Sequence, residues 1–162
     1  GVDGRLCVPR FEPLPWPLLA LAERIALVAS AVTALVPGDG GGFQGGAWRP
    51  NQANAISYTR AQGHYLGAHC DDRQLSGDSL CTLSLGCGAV MTYSRDGKQK
   101  GSGNRVGGAD PERHRVRLPR RSLQLQTGEV RFKYRHGIAN QDLDGPRRVS
   151  ITFRKERTSK AS

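Results

Sequence analysis

Arg148-Val149-Ser150-Ile151-Thr152-Phe153-Arg154 alternates between polar and apolar side chains without a break. Successive side chains on a strand point to opposite faces. Val149, Ile151 and Phe153 therefore share one side, and Arg148, Ser150, Thr152 and Arg154 the other. Ser122-Leu123-Gln124-Leu125-Gln126 alternates in the same way. Six more short runs read as strands: residues 55–59, 64–69, 80–86, 89–94, 115–118 and 130–134.

Ahead of the strands lies a different period. Leu18, Leu21, Ile25, Val28, Val32 and Leu35 recur at three-and-four spacing, which predicts one helix with one buried stripe. Pro17 sits where a first helical turn tolerates proline, and Pro37-Gly38 ends the pattern. Residues 17–36 are rich in apolar side chains, but Glu23 and Arg24 interrupt them. The unbroken remainder, 25–36, is shorter than the about 20 residues a membrane span needs, so a buried helix is expected and no membrane contact. No secretory signal is visible. One helix followed by eight antiparallel-type strands suggests a two-sheet sandwich of jelly-roll type.

A chain of 162 residues argues for a single domain. Residues 1–47 form a helical extension with a glycine-rich loop, and 48–155 the strand-rich body. The loop at 39–47 lacks the G-K-[ST] of a phosphate-binding loop and reads as a connector or as a lid. Residues 94–113 form a second, basic loop, long enough to be functional or disordered. The formal net charge is +10, which favours polyanions, nucleic acid first. Cys7, Cys70, Cys81 and Cys87 show no C-x-x-C spacing. Reduced thiols in a nuclear or cytoplasmic compartment fit better than a disulfide framework.

Gly67-Ala68-His69-Cys70-Asp71 closes a strand-like run. His69 and Asp71, two apart, point the same way and can converge on one ion, with Cys70 turned away. Such a triplet is common by chance and needs a third ligand. His136, after the run 130–135, is the best candidate, ahead of His64 and His114. Two imidazoles and one carboxylate leave three positions open on an octahedral iron, as in Fe(II) oxygenases. A catalytic zinc site can use the same donors, although no H-E-x-x-H supplies its general base.

Arg148 follows His136 by twelve residues. If the polar face of its strand turns inward, two guanidinium groups and two hydroxyls face the interior, which is costly without partners. A buried dicarboxylate resolves that cost, because the guanidinium fork pairs both oxygens of a carboxylate. The alternative is a basic strand exposed at a sheet edge.

Taken together, these segments resemble the AlkB family of Fe(II)/2-oxoglutarate dioxygenases. The likeness runs from about Trp48 to Lys155. It is carried by Tyr58 with Gly63, by His69-Cys70-Asp71-Asp72, and by Leu83-Ser84-Leu85-Gly86. Further matches are Leu118-Pro119-Arg120-Arg121-Ser122-Leu123, Thr127-Gly128-Glu129 with Arg131, His136-Gly137-Ile138, and Arg148 to Arg154. The H-x-D-D motif and the interval from Tyr58 to His69 look most like the branch numbered four among vertebrate AlkB homologues. Many members carry asparagine two residues before the tyrosine, where this chain has Ile56, with Asn54 further upstream.

The resemblance implies an α+β fold: a double-stranded β-helix (jelly-roll) core with an N-terminal helix packed on the sheet. It implies Fe(II) held by His69, Asp71 and His136, with 2-oxoglutarate and O2 as co-substrates. Tyr58, Leu66, Ser84, Arg148, Ser150 and Arg154 would bind 2-oxoglutarate, Arg148 on its distal carboxylate and Arg154 near the chelating one. Ser150 stands where other members carry asparagine. The implied activity is oxidative N-demethylation by a monomer. A nucleobase is the expected substrate, DNA ahead of RNA and N6-methyladenine ahead of other bases; a methyl-lysine protein substrate is the alternative. Arg73, Arg113, Arg115 and Arg120, with Arg117 and Arg121, are candidate nucleic-acid contacts. Trp48 and Tyr65 are candidates to stack on a base, or else core residues.

Overall fold

The computed structural model describes residues 14–35, 48–74, 76–96 and 113–156. The glycine-rich stretch 39–47, most of the basic loop 94–113 and Cys7 lie outside the described residues. In chain order the elements are helix α1 (Trp16–Ala34), strands β1 (Gln52–Thr59), β2 (Leu66–His69), β3 (Ser76–Gly86), β4 (Ala89–Arg95), β5 (Arg113–Leu118) and β6 (Leu123–Gln126), helix α2 (Gly128–Lys133), and strands β7 (Tyr134–Ile138) and β8 (Arg147–Glu156). Two four-stranded antiparallel sheets result, in the orders β1-β8-β3-β6 and β2-β7-β4-β5. This is the expected jelly roll with an N-terminal helix.

β8 is an inner strand, paired with β1 on one side and β3 on the other. Its alternation is read by two different environments. Phe153 is fully buried and Ile151 packs beside it, in a cluster with Cys81, Trp48 and the α1 residues Ala22, Ile25, Ala26 and Ala29. Arg148, Ser150, Thr152 and Arg154 face the opposite way, into a cavity between the sheets. The exposed-edge alternative for this strand is thereby excluded. A second cluster, built on Tyr58, Met91, Tyr93, Leu118, Ile138 and Leu143, closes the space between the sheets.

The helix differs from its predicted stripe. Ile25 is buried and Leu18 and Leu21 pack partly, but Val28, Val32 and Leu35 are exposed. The buried face is Ala22, Ile25, Ala26, Ala29 and Thr33. Small side chains let the helix axis approach the sheet closely, and helix packing distance depends on the residues at the contact. The larger aliphatic residues flank that contact and stay in solvent. By length and composition α1 is also apolar enough to cross a membrane, a property missed by counting only the stretch after Arg24.

The expected strand at 130–134 is a correction. Residues Gly128–Lys133 form the short helix α2, and the strand begins at Tyr134. Gly128 enters the helix with φ +58, a left-handed conformation that glycine adopts without strain. Within α2, Arg131 is buried and Val130 exposed, the reverse of what hydrophobicity suggests. His114 stands on β5, and His64, expected within a strand at 64–69, lies before β2.

Candidate active site

β2 and β7 bring the two histidines together. His69 and His136 are directly opposite in the antiparallel register, and His136 is opposite Tyr93 on its other side. Gly137 allows the approach: a Cβ there would lie 2.8 Å from the Leu66 carbonyl oxygen and 3.1 Å from Ala68. Asp71, just past β2, completes the group. His69 Nε2 is 3.7 Å from Asp71 Oδ1, and His136 Nε2 is 3.5 Å from Asp71 Oδ2. One ligand atom from each residue lies within 4.8 Å of the others, so the three could hold one metal ion.

The electrostatics suit a cation. His69 Nδ1 donates to the Gly67 carbonyl at 2.8 Å, which leaves the Nε2 lone pair free for a metal. The Asp71 carboxylate beside it raises the His69 pKa. Burial pushes His136 down to about 4, so it stands as the neutral imidazole that metals bind. Burial alone would raise Asp71, but in the acid range where it titrates the adjacent His69 and His136 rings carry charge and, with Arg131, hold the carboxyl below its usual range. Two imidazoles and one ionised carboxylate are a donor set that fits Fe(II) with open positions.

His69 and His136 on one sheet, with Asp71 beside them, line a cavity of about 350 Å³ together with Tyr58, Arg148, Ser150 and Arg154 on the other sheet. Leu66 lines the same space. Arg148 has 1% of its surface exposed. Its Nη2 donates to Ser84 Oγ at 3.0 Å, its guanidinium lies 5.5 Å from the Tyr58 ring centre, and its Nε has no partner among the described residues. Burial lowers its pKa. Among the described residues no carboxylate pairs with it. A buried cation without a counter-charge costs several kcal/mol, so the arrangement fits an anionic ligand. Ser150 hydrogen-bonds Tyr58, whose hydroxyl is raised by burial. Arg154 turns its Nε to Gln52 Oε1 on β1.

The structure also gives roles to residues that the sequence reading named without one. Arg131 is fully buried and donates to the backbone oxygens of Asp71, at 3.1 Å, and Asp72. It pins the segment that carries the carboxylate ligand. Gln124 and Gln126 line the cavity beside Met91. The alternation of their strand was the available signal, but it does not say whether the polar face meets solvent or a cavity.

The candidate nucleic-acid contacts divide. Trp48 retains 4% of its surface and belongs to the core beneath α1; a stacking role for it is corrected, because a ring packed on all sides offers no face to a base. Tyr65 is 44% exposed. Arg73 is paired with Asp96 at 2.9 Å, Arg115 with Asp142 at 2.6 Å and Arg117 with Asp144 at 3.4 Å. Arg113, Arg120 and Arg121 are exposed.

Residues 3–154 match the sequence family described as the 2OG-Fe(II) oxygenase superfamily. The chain is 33% identical over 96 residues to mouse tRNA (carboxymethyluridine(34)-5-O)-methyltransferase ALKBH8, covering 59% of this chain and 12% of that protein. It is 28% identical over 109 residues to a Caenorhabditis elegans DNA N6-methyl adenine demethylase, covering 67% of this chain and 33% of that protein. The chain thus spans a third or less of the length of these relatives. The solved structure of OsALKBH1 is similar with a TM-score of 0.59 at 18% identity, over 88% of this chain and 64% of that one, a likeness of fold.

Proposed function

This chain belongs to the 2OG-Fe(II) oxygenase superfamily, dioxygenases that use Fe(II), 2-oxoglutarate and O2, and on that premise we propose that it demethylates N-methylated nucleobases. The preferred substrate in this reading is N6-methyladenine in single-stranded or distorted DNA. The observation that carries the chemistry is the pairing across one cavity of a His-Asp-His group with a buried, unneutralised arginine. The net charge of +10 and the likeness to a protein named as a DNA N6-methyl adenine demethylase support the choice of substrate. The H-x-D-D motif and its interval from Tyr58 support placement near the branch numbered four of the AlkB homologues.

In this reading His69, Asp71 and His136 hold the iron. Arg148, steadied by Ser84 and Tyr58, takes the distal carboxylate of 2-oxoglutarate; Ser150 and Leu66 flank it, and Arg154 approaches the other end. When bound, the iron centre couples decarboxylation of 2-oxoglutarate to succinate with oxygen insertion into a methyl C–H bond. The hydroxymethylated amine then releases formaldehyde. The chain's own work is to seat both molecules and exclude water. Its sheets enclose the site, so a base must leave its stack to enter, which favours single-stranded or distorted DNA.

The test is succinate and formaldehyde release by purified protein with Fe(II), 2-oxoglutarate and O2. Methylated single-stranded DNA is expected to stimulate both, ahead of methylated RNA and of methyl-lysyl peptide. A response to peptide alone would overturn the substrate. His136→Ala is expected to lower turnover at least about a thousandfold, as loss of a metal ligand does, and to leave DNA affinity within about twofold. Survival of activity in that variant would remove the iron assignment.

A further inference from the structure

Gln124 and Gln126 are polar groups of the cavity that co-substrate binding leaves unused. β6 is the outer strand of its sheet, two strands from β8. Gln126 stands opposite Leu80, which stands opposite Arg154, whereas Arg148 stands opposite Gly86. The two levels are six residues of strand apart, roughly 20 Å at about 3.3 Å per residue. A five-carbon dicarboxylate is about 6 Å long, at about 1.5 Å per C–C bond. A molecule seated on Arg148 and reached at its other end by the long Arg154 side chain runs along β8, two strands or about 10 Å to the side of β6. Arg154 shares the level of Gln126 but turns to Gln52, on the far edge of the sheet from β6.

The two amides are in different states. Gln124 Nε2 is anchored on Tyr93 Oη and Met91 Sδ, and the Tyr93 ring lies 5.7 Å from that of His136. Gln126 lies two residues further along the same face. It keeps 7% of its surface and lines the cavity, and its Nε2 has no partner among the described residues. A buried donor without an acceptor is destabilising, and leucine at this position would avoid that cost. An unpaired amide aimed into a cavity beside a metal group marks a place where a ligand supplies the acceptor.

We propose that Gln126 determines specificity: its Nε2 donates a hydrogen bond to a ring nitrogen of the methylated base. The inference rests on the nucleobase reading above and sharpens it. An N6-methylated adenine carries ring nitrogens as acceptors beside its methylated nitrogen. A lysine side chain carries donors and no acceptor, so the residue that selects a base leaves methyl-lysine unrecognised. Sites built to hydrogen-bond a substrate discriminate strongly against analogues that lack the group.

The test crosses two changes. Wild type and Gln126→Leu are compared on single-stranded oligonucleotides carrying N6-methyladenine or its 1-deaza, 3-deaza and 7-deaza analogues. In wild type, one deaza substitution is expected to lower kcat/KM about tenfold or more. Gln126→Leu loses a similar factor on the parent base and ignores that substitution. Its KM for 2-oxoglutarate stays within about twofold, and it melts at or above the wild-type temperature, because an unpaired buried amide has been removed. Three results overturn the assignment: deaza bases equal to the parent in wild type, a raised KM for 2-oxoglutarate in the variant, or a lowered melting temperature. Turnover of methyl-lysyl peptide but of no base removes both this assignment and the nucleobase reading. Base turnover indifferent to both changes removes this assignment alone.

Discussion

Arg148 and Arg115 both stand on strands at alternating positions, and little in their local sequence separates them. Their surroundings differ completely. Arg148 lies on an inner strand, buried, with no carboxylate partner among the described residues. Arg115 lies on the outer strand β5, exposed, 2.6 Å from Asp142, and its neighbour Arg117 pairs with Asp144. A cation in water beside an acid is already neutralised and contributes little. A cation removed from water with no acid beside it is a binding site in waiting. Counting arginines gives the net charge; where their counter-charges come from decides which of them bind a ligand.

The largest effect is expected at the buried member. Arg148→Met should raise the KM for 2-oxoglutarate roughly a hundredfold, from loss of a charge-assisted pair worth about 3 kcal/mol. Without co-substrate the variant should be no less stable than wild type, since an apolar isostere replaces an unpaired buried charge. Saturating 2-oxoglutarate should raise the melting temperature of wild type and not of the variant. Steady-state kinetics and thermal melts check both, and an unchanged KM would break the contrast.

Arg131 stands between the two cases: buried, but satisfied by the backbone oxygens of Asp71 and Asp72. Arg131→Met should cost about 2–3 kcal/mol in stability, because two carbonyls lose a charged donor. Fe(II) affinity should fall by about tenfold through loss of the segment that aims Asp71. Denaturant melts and metal titration read the two effects separately, and Arg131→Lys should recover part of both.

The smallest effect is expected at the surface. The double change Arg115→Ala with Arg117→Ala should alter stability by less than about 1 kcal/mol and DNA affinity by less than about threefold. The salt dependence is the sharper measure. A fall of about two in the slope of log affinity against log salt would mean that both arginines contact phosphates, and the contrast with Arg148 would narrow.

The legible features were those written within one element. The alternation of β8 and β6, the α1 period and the same-side placement of His69 and Asp71 all follow from local backbone geometry. Strand starts were less so: β1 begins at Gln52 and β3 at Ser76, earlier than their apolar runs, because ladder bonds extend past the hydrophobic segment. Residues 130–134 read as a strand because Val130, Phe132 and Tyr134 alternate, while the buried side chain is that of Arg131, whose partners lie 59 and 60 residues away in sequence. No local pattern carries that information. The α1 stripe failed because large aliphatic residues at helical spacing outweigh alanines in a hydrophobicity count, yet alanines made the contact.

By itself the sequence determined the chemistry available: two imidazoles, a carboxylate, two arginines on one strand face and a strongly basic surface. It also determined the alternation that sorts each strand into two faces. Only the tertiary structure decided which face meets a cavity. On β6 and β8 it is the polar face that turns inward, while Leu123, Leu125 and Phe153 pack outward beneath α1. A period of two separates the faces but does not name their surroundings. That depends on what covers each side of the sheet, here a helix on one and a second sheet across a polar cavity on the other.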